Sequence, residues 1–257
     1  MANVIGTRNV ADLALKYDAE KMVMVSTDKA VNPTNIMGAS KRLAEIYIQS
    51  LGLAVAKGEV NGSTRFVTTR FGNVLGSNGS VIPRFREQIE KGGPVTVTHP
   101  EIIRYFMTIP EACRLVMEAV TLSDGNEIFV FEMGEPVKIA DLARRMIELA
   151  GLKVGEDIEI EYTGLRPGEK LYEEVLSTTE NTIPTSNKTI HVAKVRQYDY
   201  DSVDEQITAL GQFAAEVDIP ATVRLMKQIV PEYKSHNSDF EQYDREIESG
   251  ELAERTA

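Results

Sequence analysis

The sequence comprises 257 residues, 42% hydrophobic and 26% charged, ordinary for a globular protein and enough for one large α/β domain or one and a half smaller ones. The net charge of -11 argues against nucleic acid and anionic membrane surfaces as general partners, though a few local arginines can still hold an anionic small molecule. One cysteine permits no internal disulfide, which suits a reducing compartment; it and the three histidines are too scattered for metal-ligand spacing, and neither a bilayer-spanning apolar run nor a signal-peptide pattern is visible.

Residues 1–16 read as a helix with an apolar side of Val4, Ile5, Val10, Leu13, Ala14 and Leu15. The helix leads into a β-branched run, residues 21–25, which reads as a buried parallel strand. A dinucleotide-binding fold opens with a strand and a G-x-G-x-x-G turn. Here no strand precedes the helix and no such turn occurs; Gly76-Ser77-Asn78-Gly79 stands too far along. Ser26, Thr27, Asp28 and Lys29 close the strand. They put hydroxyls, a carboxylate and an amine at a carboxyl edge, where open α/β sheets bind ligands. Asn32-Pro33 breaks the chain, and a helix from about Met37 to Leu51 carries Met37 and Lys41 on one face.

Residues 64–71 form the next expected strand, running through Gly72, Asn73 and a glycine-rich loop to Ser80 and a helix from about Val81. Such a loop suits close backbone approach to a ligand and equally a plain turn. Residues 94–100 read as a short strand bounded by prolines. His99 reads as a capping or packing residue, and Arg104, taken alone, as a surface cation beside Glu101. Pro110 and Glu111 open a helix to about Val120, on which Cys113 reads as a small core residue. A strand at 127–131, a turn at 134–138, a helix at 139–150 closed by Gly151, and a half-exposed strand at 158–162 follow. Arg166-Pro167-Gly168-Glu169-Lys170 holds an arginine between turn residues, which can pre-position a phosphate ligand, although charged turns are common. A short strand at 191–193 and helices at 201–215 and 219–230 come last, and residues 235–257 read as a disordered polar tail.

The string Ser26-Thr27-Asp28-Lys29 with Met37-Gly38-Ala39-Ser40-Lys41 resembles the catalytic segment of extended short-chain dehydrogenases/reductases. More closely it is similar to the CapD-like polysaccharide-biosynthesis group, nucleotide-sugar 4,6-dehydratases acting on UDP-N-acetylglucosamine. That group carries a Thr-Asp-Lys triplet and a Tyr-x-x-x-Lys pair. Met37 stands here at the tyrosine's position, as it does in the larger, membrane-anchored branch of the group. Arg70-Phe71-Gly72-Asn73-Val74, Gly79-Ser80-Val81-Ile82-Pro83 and the Arg166–Lys170 string extend the resemblance over roughly residues 3–193.

The resemblance implies a redox-assisted elimination. A hydride leaves C4 of the sugar for NAD or NADP, the C5 proton is removed, water leaves from C6, and the hydride returns to C6. On that pattern Lys29 is the C5 base, Asp28 the acid at C6, and Thr27 a partner of the C4 oxygen. Lys41 holds the nicotinamide ribose, with Ser26, Phe71 and Gly72 also toward the cofactor. Asn73, Ser80, Val81, Arg84, Thr96, Thr98, Arg104, Arg166 and Glu169 take the sugar nucleotide: Thr96 and Thr98 at the uracil, Arg104 at the pyrophosphate, Arg166 and Glu169 at the UDP. Met37 cannot carry a proton.

The expected fold is α/β: a partial Rossmann-like parallel sheet plus a smaller α/β substrate-binding domain. Residues 1–80 form the second half of the cofactor domain, and 81–195 mainly the sugar-nucleotide subdomain with 126–140 returning to the sheet. Residues 196–234 are the closing helices. The sequence then reads as the latter part of a longer pattern. Its first half, or a second copy in a homo-oligomer, is an expected partner beside the UDP-sugar. The expected location is the cytoplasm or the cytoplasmic side of the inner membrane. A UDP-sugar epimerase, which usually keeps the tyrosine, and a UDP-sugar-binding half without catalysis are the competing readings.

Overall fold

The computed structural model describes residues 2–77, 79–174 and 181–249. Helix α1 (Ile5–Lys16) starts after a turn at 2–4 and has no side-chain cap. It turns Val4, Ile5, Ala11 and Leu15 inward and leaves Val10 and Leu13 exposed. Strand β1 (Lys21–Thr27) runs on past the apolar segment, so Ser26 and Thr27 belong to it. A single 3-10 turn, Asp28–Ala30, follows. Helix α2 (Ile36–Lys57) is capped at its start by Asn35, whose Oδ1 accepts from the Gly38 amide at 2.9 Å, and at its end by left-handed Gly58.

Strand β2 (Arg65–Phe71) pairs with β1 in parallel, from Lys21 opposite Arg65 to Thr27 opposite Phe71. Short β3 (Asn73–Val74), helix α3 (Val81–Glu90), β4 (Val95–Val97), β5 (Ile103–Arg104) and β6 (Phe106–Met107) follow. Helix α4 (Ile109–Leu122) carries a complete capping box between Thr108 and Glu111. After β7 (Ile128–Phe131) come β8 (Val137–Lys138), α5 (Ile139–Leu149), β9 (Ile160–Tyr162), β10 (Asn181–Pro184), β11 (Ile190–Lys194), α6 (Tyr200–Ala215), α7 (Ile219–Ile229) and α8 (Glu241–Glu248). No helix among the described residues is long and apolar enough to cross a membrane.

The main sheet has the order β1-β2-β7-β11-β10, parallel from β1 to β7 and antiparallel beyond. One face packs on α1, α2, α6 and α7 through Leu43, Tyr47, Phe66, Ile207 and Met226; the other packs on α4 through Val67, Leu115, Ala119 and Phe129. Cover on both faces is why β2 and β7 are buried along almost their whole length, polar residues of β2 included. A separate cluster of Phe85, Val97, Ala143, Ile147 and Ile158 joins α3, α5, β4 and β9 into a smaller layer. The parallel strands end on one side of the sheet, and β3, continuing from β2, pairs with β6 there.

One buried ionic network ties this sheet to the closing helices. Arg70, on β2, donates from Nε and Nη2 to the two Glu45 oxygens at 2.8 and 2.6 Å, and both side chains are fully buried. Arg42 bridges the same carboxylate to Glu232, at 3.0 and 2.8 Å. Burial pushes the Glu45 carboxyl up, but the charge and hydrogen bonds of Arg70, then Arg42, hold it down at about 2.

Two expectations are corrected. Cys113 is exposed, because the inward stripe of α4 is Ala112, Leu115 and Ala119 and Cys113 falls out of phase with it. Residues 235–249 are not a disordered tail. Helix α8 packs Tyr243 into the core, and Lys227, only 1% exposed in its side chain, donates to Asp244 Oδ1 at 2.6 Å and Ser235 Oγ at 2.9 Å. Arg224 adds an ion pair to Glu246 at 2.8 Å. The polar composition hid these anchors, since each depends on a partner on α7. Residues 250–257 lie outside the described residues.

Candidate functional site

A pocket of about 760 Å³ opens between the carboxyl ends of β1 and β2 and the smaller layer. Thr27 sets its floor. Its backbone is still extended, and its hydroxyl donates to Asp28 Oδ1 at 2.8 Å. Lys29 Nζ donates to the same oxygen at 2.8 Å and to Asn73 Oδ1 at 3.2 Å, while Asn73 Nδ2 is held by the Tyr105 carbonyl at 3.2 Å. The two strand ends therefore fix one amine between two side-chain oxygens. Asp28 itself is fully buried; it stands behind Thr27 and Lys29, off the pocket wall, and its Oδ2 has no hydrogen-bond partner among the described residues.

Gly38 lets α2 close on this cluster. A Cβ added there would lie 2.3 Å from the Lys29 carbonyl oxygen and 3.1 Å from Pro33 Cβ. Gly38→Ala is expected to cost roughly 1–3 kcal/mol by pushing the helix off the turn, read as a lower midpoint in thermal unfolding. An unchanged midpoint would mean that turn and helix part without cost.

Met37, 46% exposed, and Lys41 line the pocket one turn apart on α2. Lys41 makes no hydrogen bond or ion pair among the described residues. Ser26, Phe71 and Gly72 line the same end. Across from them the pocket is lined by Ser80, Val81 and Arg84 at the start of α3, by Thr96 and Thr98 around β4, and by Arg104, Arg166 and Glu169. Arg84 Nη2 and Gln88 Nε2 both donate to Thr96 Oγ1, at 2.9 and 2.8 Å. Ser80 Oγ is buried without a partner among the described residues. Arg166 is exposed, and its guanidinium has no partner among the described residues. Arg104 differs: it is buried and spends its donors on the carbonyls of Ile103, Lys170 and Leu171. It shapes the 169–173 segment instead of presenting a free cation.

The Arg166–Lys170 loop is clamped from two sides. The Gly168 carbonyl accepts from Thr34 Oγ1 at 2.7 Å and Asn35 Nδ2 at 2.8 Å, and the Gly168 amide donates to the His236 carbonyl at 2.7 Å. Gly168 has φ +69°, and an added Cβ would meet Asn35 Cβ at 2.5 Å, so only glycine fits here. The Lys234 amide meanwhile donates to the Pro33 carbonyl at 3.1 Å. Lys170 Nζ reaches the Val31 carbonyl at 2.9 Å.

The structure thus brings together every sequence-expected site residue except Asp28, which supports the wall from behind. Sequence reasoning passed over Asn35 and Glu173, which also line the pocket, and His236, which holds its loop. Asn35 carried a signal, an N-cap residue three before Gly38. Glu173 and His236 carried none, because neither sits in a motif.

The arrangement can do two things chemically. Lys41, beside the apolar Met37 and Phe71, offers an ammonium next to a flat surface, a donor that suits a ribose joined to a nicotinamide ring, whereas the Ser26 hydroxyl is buried beneath the pocket wall. Arg84 and Arg166 offer uncommitted or half-committed cations to an anion at the other end.

The profile of the polysaccharide biosynthesis protein family matches residues 1–195. The capsular polysaccharide biosynthesis protein CapD of Staphylococcus aureus is 57% identical over 202 residues, 79% of this chain and 33% of that protein. Against that curated relative the chain therefore spans about a third of the length. A solved structure of Pen from Bacillus thuringiensis is 35% identical with a TM-score of 0.66, covering 77% of this chain and 60% of that one. A dTDP-glucose 4,6-dehydratase from Bacillus anthracis, solved in complex with NAD, shares the fold at a TM-score of 0.52 and 22% identity, over 63% of this chain and 56% of that one.

Proposed function

The chain belongs to the polysaccharide biosynthesis protein family, and from that premise we propose that its pocket serves a nucleotide-sugar 4,6-dehydratase acting on UDP-N-acetylglucosamine. The observation that supports this reading most is the fixed Lys29 amine, held by Asp28 and Asn73 at the floor of a pocket whose far wall carries Arg84 and Arg166. A base for a C–H proton and a seat for a diphosphate thus face one cavity.

NAD or NADP, held at its nicotinamide ribose by Lys41 with Ser26, Phe71 and Gly72, would supply the oxidation at C4 and the later reduction at C6. The chain's own residues handle protons. Lys29 takes the proton from C5, which a ketone at C4 makes acidic. Thr27 sits on the pocket wall and hydrogen-bonds the C4 oxygen. Asp28 orients both; a proton that it gives to the sugar has to pass through the Thr27 hydroxyl or the Lys29 amine, because its carboxylate does not reach the cavity. Glu169, accepting from Thr98 and from the Arg166 amide, fixes the loop that grips the UDP. Met37 and the Asp28-Lys29 pair both weigh against a UDP-sugar epimerase.

Calorimetric titration of the chain with UDP-N-acetylglucosamine, and separately with NAD and NADP, tests the reading. Saturable sugar-nucleotide binding, weakened by Arg166→Ala, is expected. A folded chain that binds no UDP-sugar would overturn the assignment.

A further inference from the structure

Residues 230–240, between α7 and α8, form neither helix nor strand and lie beyond the segment matched to the family. Their path is therefore set by side chains and by bonds to other segments. Tyr233 is sunk in the core at 1% exposure, and the Lys227 ammonium stands 3.9 Å from the centre of its ring. Asp244, on α8, spends both carboxylate oxygens on this bend. Oδ1 accepts from Lys227 Nζ at 2.6 Å, and Oδ2 accepts from the Ser235 amide at 2.9 Å. Lys227 Nζ also donates to Ser235 Oγ at 2.9 Å. One lysine and one aspartate, from two helices, thus clasp residues 233–235.

The clasped stretch runs on to the pocket. The Lys234 amide donates to the Pro33 carbonyl, in the turn that follows the Thr27–Lys29 floor, and the His236 carbonyl accepts from the Gly168 amide. Gly168 is buried, and its own carbonyl is already taken by Thr34 and Asn35. If His236 retreats, the Gly168 amide is left unpaired away from water, a penalty larger than the net worth of the bond. The loop therefore follows the bend. Arg166 stands two residues from that amide, with Pro167 and its fixed φ between them, so a shift of Gly168 carries the guanidinium with it.

We propose that residues 233–236 are a strap that holds the Arg166–Lys170 loop in its gripping position, and that Asp244, with Lys227, is the positioning residue that keeps the strap taut. The proposal rests on the reading of this loop as part of a nucleoside diphosphate seat. Asp244 is not part of the pocket lining; it acts through Ser235, His236 and Gly168 in turn. A carboxylate that served stability alone would leave the ligand's grip untouched once the chain is folded.

The same two helices supply the control. Arg224 pairs with Glu246 at 2.8 Å and lies 4.6 Å over the Tyr243 ring, joining α7 to α8 through residues outside the strap. The unsubstituted chain is compared with Asp244→Asn, with Arg224→Ala, and with a double replacement, Lys227→Met plus Asp244→Asn, which leaves no buried charge unpaired. UDP is titrated calorimetrically, and hydrogen exchange at the Gly168 amide is followed without ligand. Asp244→Asn and the double replacement are expected to weaken UDP binding roughly tenfold and to speed Gly168 exchange by a similar factor, while Arg224→Ala, whatever it costs in unfolding midpoint, leaves both within about twofold. Unweakened UDP binding by the double replacement would overturn the proposal. An equal loss in Arg224→Ala would overturn it too, and make the clasp a source of general stability alone. A folded, unsubstituted chain that binds no UDP would overturn the functional reading instead; Gly168 exchange, which needs no ligand, would then by itself uphold or reject the strap's hold on the loop.

Discussion

Lys29→Ala is expected to abolish deuterium incorporation at C5 of a UDP-4-keto sugar, a loss of roughly 10²- to 10⁴-fold, the usual worth of a positioned general base. The expectation comes from geometry. The amine is anchored by Asp28 Oδ1 and Asn73 Oδ1, each just past the end of one of two adjacent parallel strands, so it has one place to be. Removing it takes a hydrogen-bond donor from Asp28, whose carboxylate has no accessible surface in the unsubstituted chain and stands farther back than the amine. The variant should still bind UDP-sugar, because Arg84 and Arg166 stand on the opposite wall. Exchange that persists in Lys29→Ala would remove the lysine from the base's role. Exchange lost together with UDP binding would mean that the substitution had collapsed the floor.

Glu45→Gln is expected to destabilise the fold by about 3–5 kcal/mol, which for a chain of this size is a fall of roughly 10 °C in the unfolding midpoint. Arg70 is fully buried and meets the two Glu45 oxygens side by side; an amide offers one acceptor and no charge. Arg42 loses the same partner but keeps Glu232. The effect has a pH signature. Glu45 is held at about 2 in the folded chain, against an ordinary value near 4.5. Its contribution is therefore complete above that ordinary value and disappears as pH falls through the folded value. The stability difference between the unsubstituted chain and Glu45→Gln should be constant near neutrality and shrink between about pH 4.5 and 2. A difference that did not change with acid would mean that the pair is not ionised in the folded state.

The sheet strands and most helices could be read from the chain because their signals are local. Lys21–Thr27 and Arg65–Phe71 are β-branched and bounded by turn residues, and Pro110 with Glu111 marks the start of α4 in its own neighbourhood; the expected end of α2 at Leu51 falls short of Lys57, where left-handed Gly58 closes the helix. The floor of the pocket was legible for the same reason, its residues being consecutive. What escaped depends on distant partners. Asp28 turned out buried because the 3-10 turn after β1 rotates it beneath Lys29, an angle no residue pattern encodes. Cys113 was lost to helix phase, one position from buried Ala112. Strand β10 is an edge that pairs, among the described residues, with β11 alone. The order in residues 235–249 rests on sparse anchors, Tyr243 and Asp244, seated on a lysine of another helix.

Those last residues change how the molecule has to be thought about. The segment matched to the family ends at 195, yet the backbone of Lys234 and His236 is fastened to Pro33 and to Gly168 of the pocket's loop, and itself hangs on the clasp between Lys227 and Asp244. Coupling of this kind is reciprocal. Whatever loosens the clasp must weaken a ligand gripped by the Arg166 loop, and a ligand that orders the loop must tighten the clasp by the same free energy. On the proposed reading, a stretch of chain outside the pocket lining thus bears on how firmly the pocket's loop is held, and so on the affinity of a ligand seated against it.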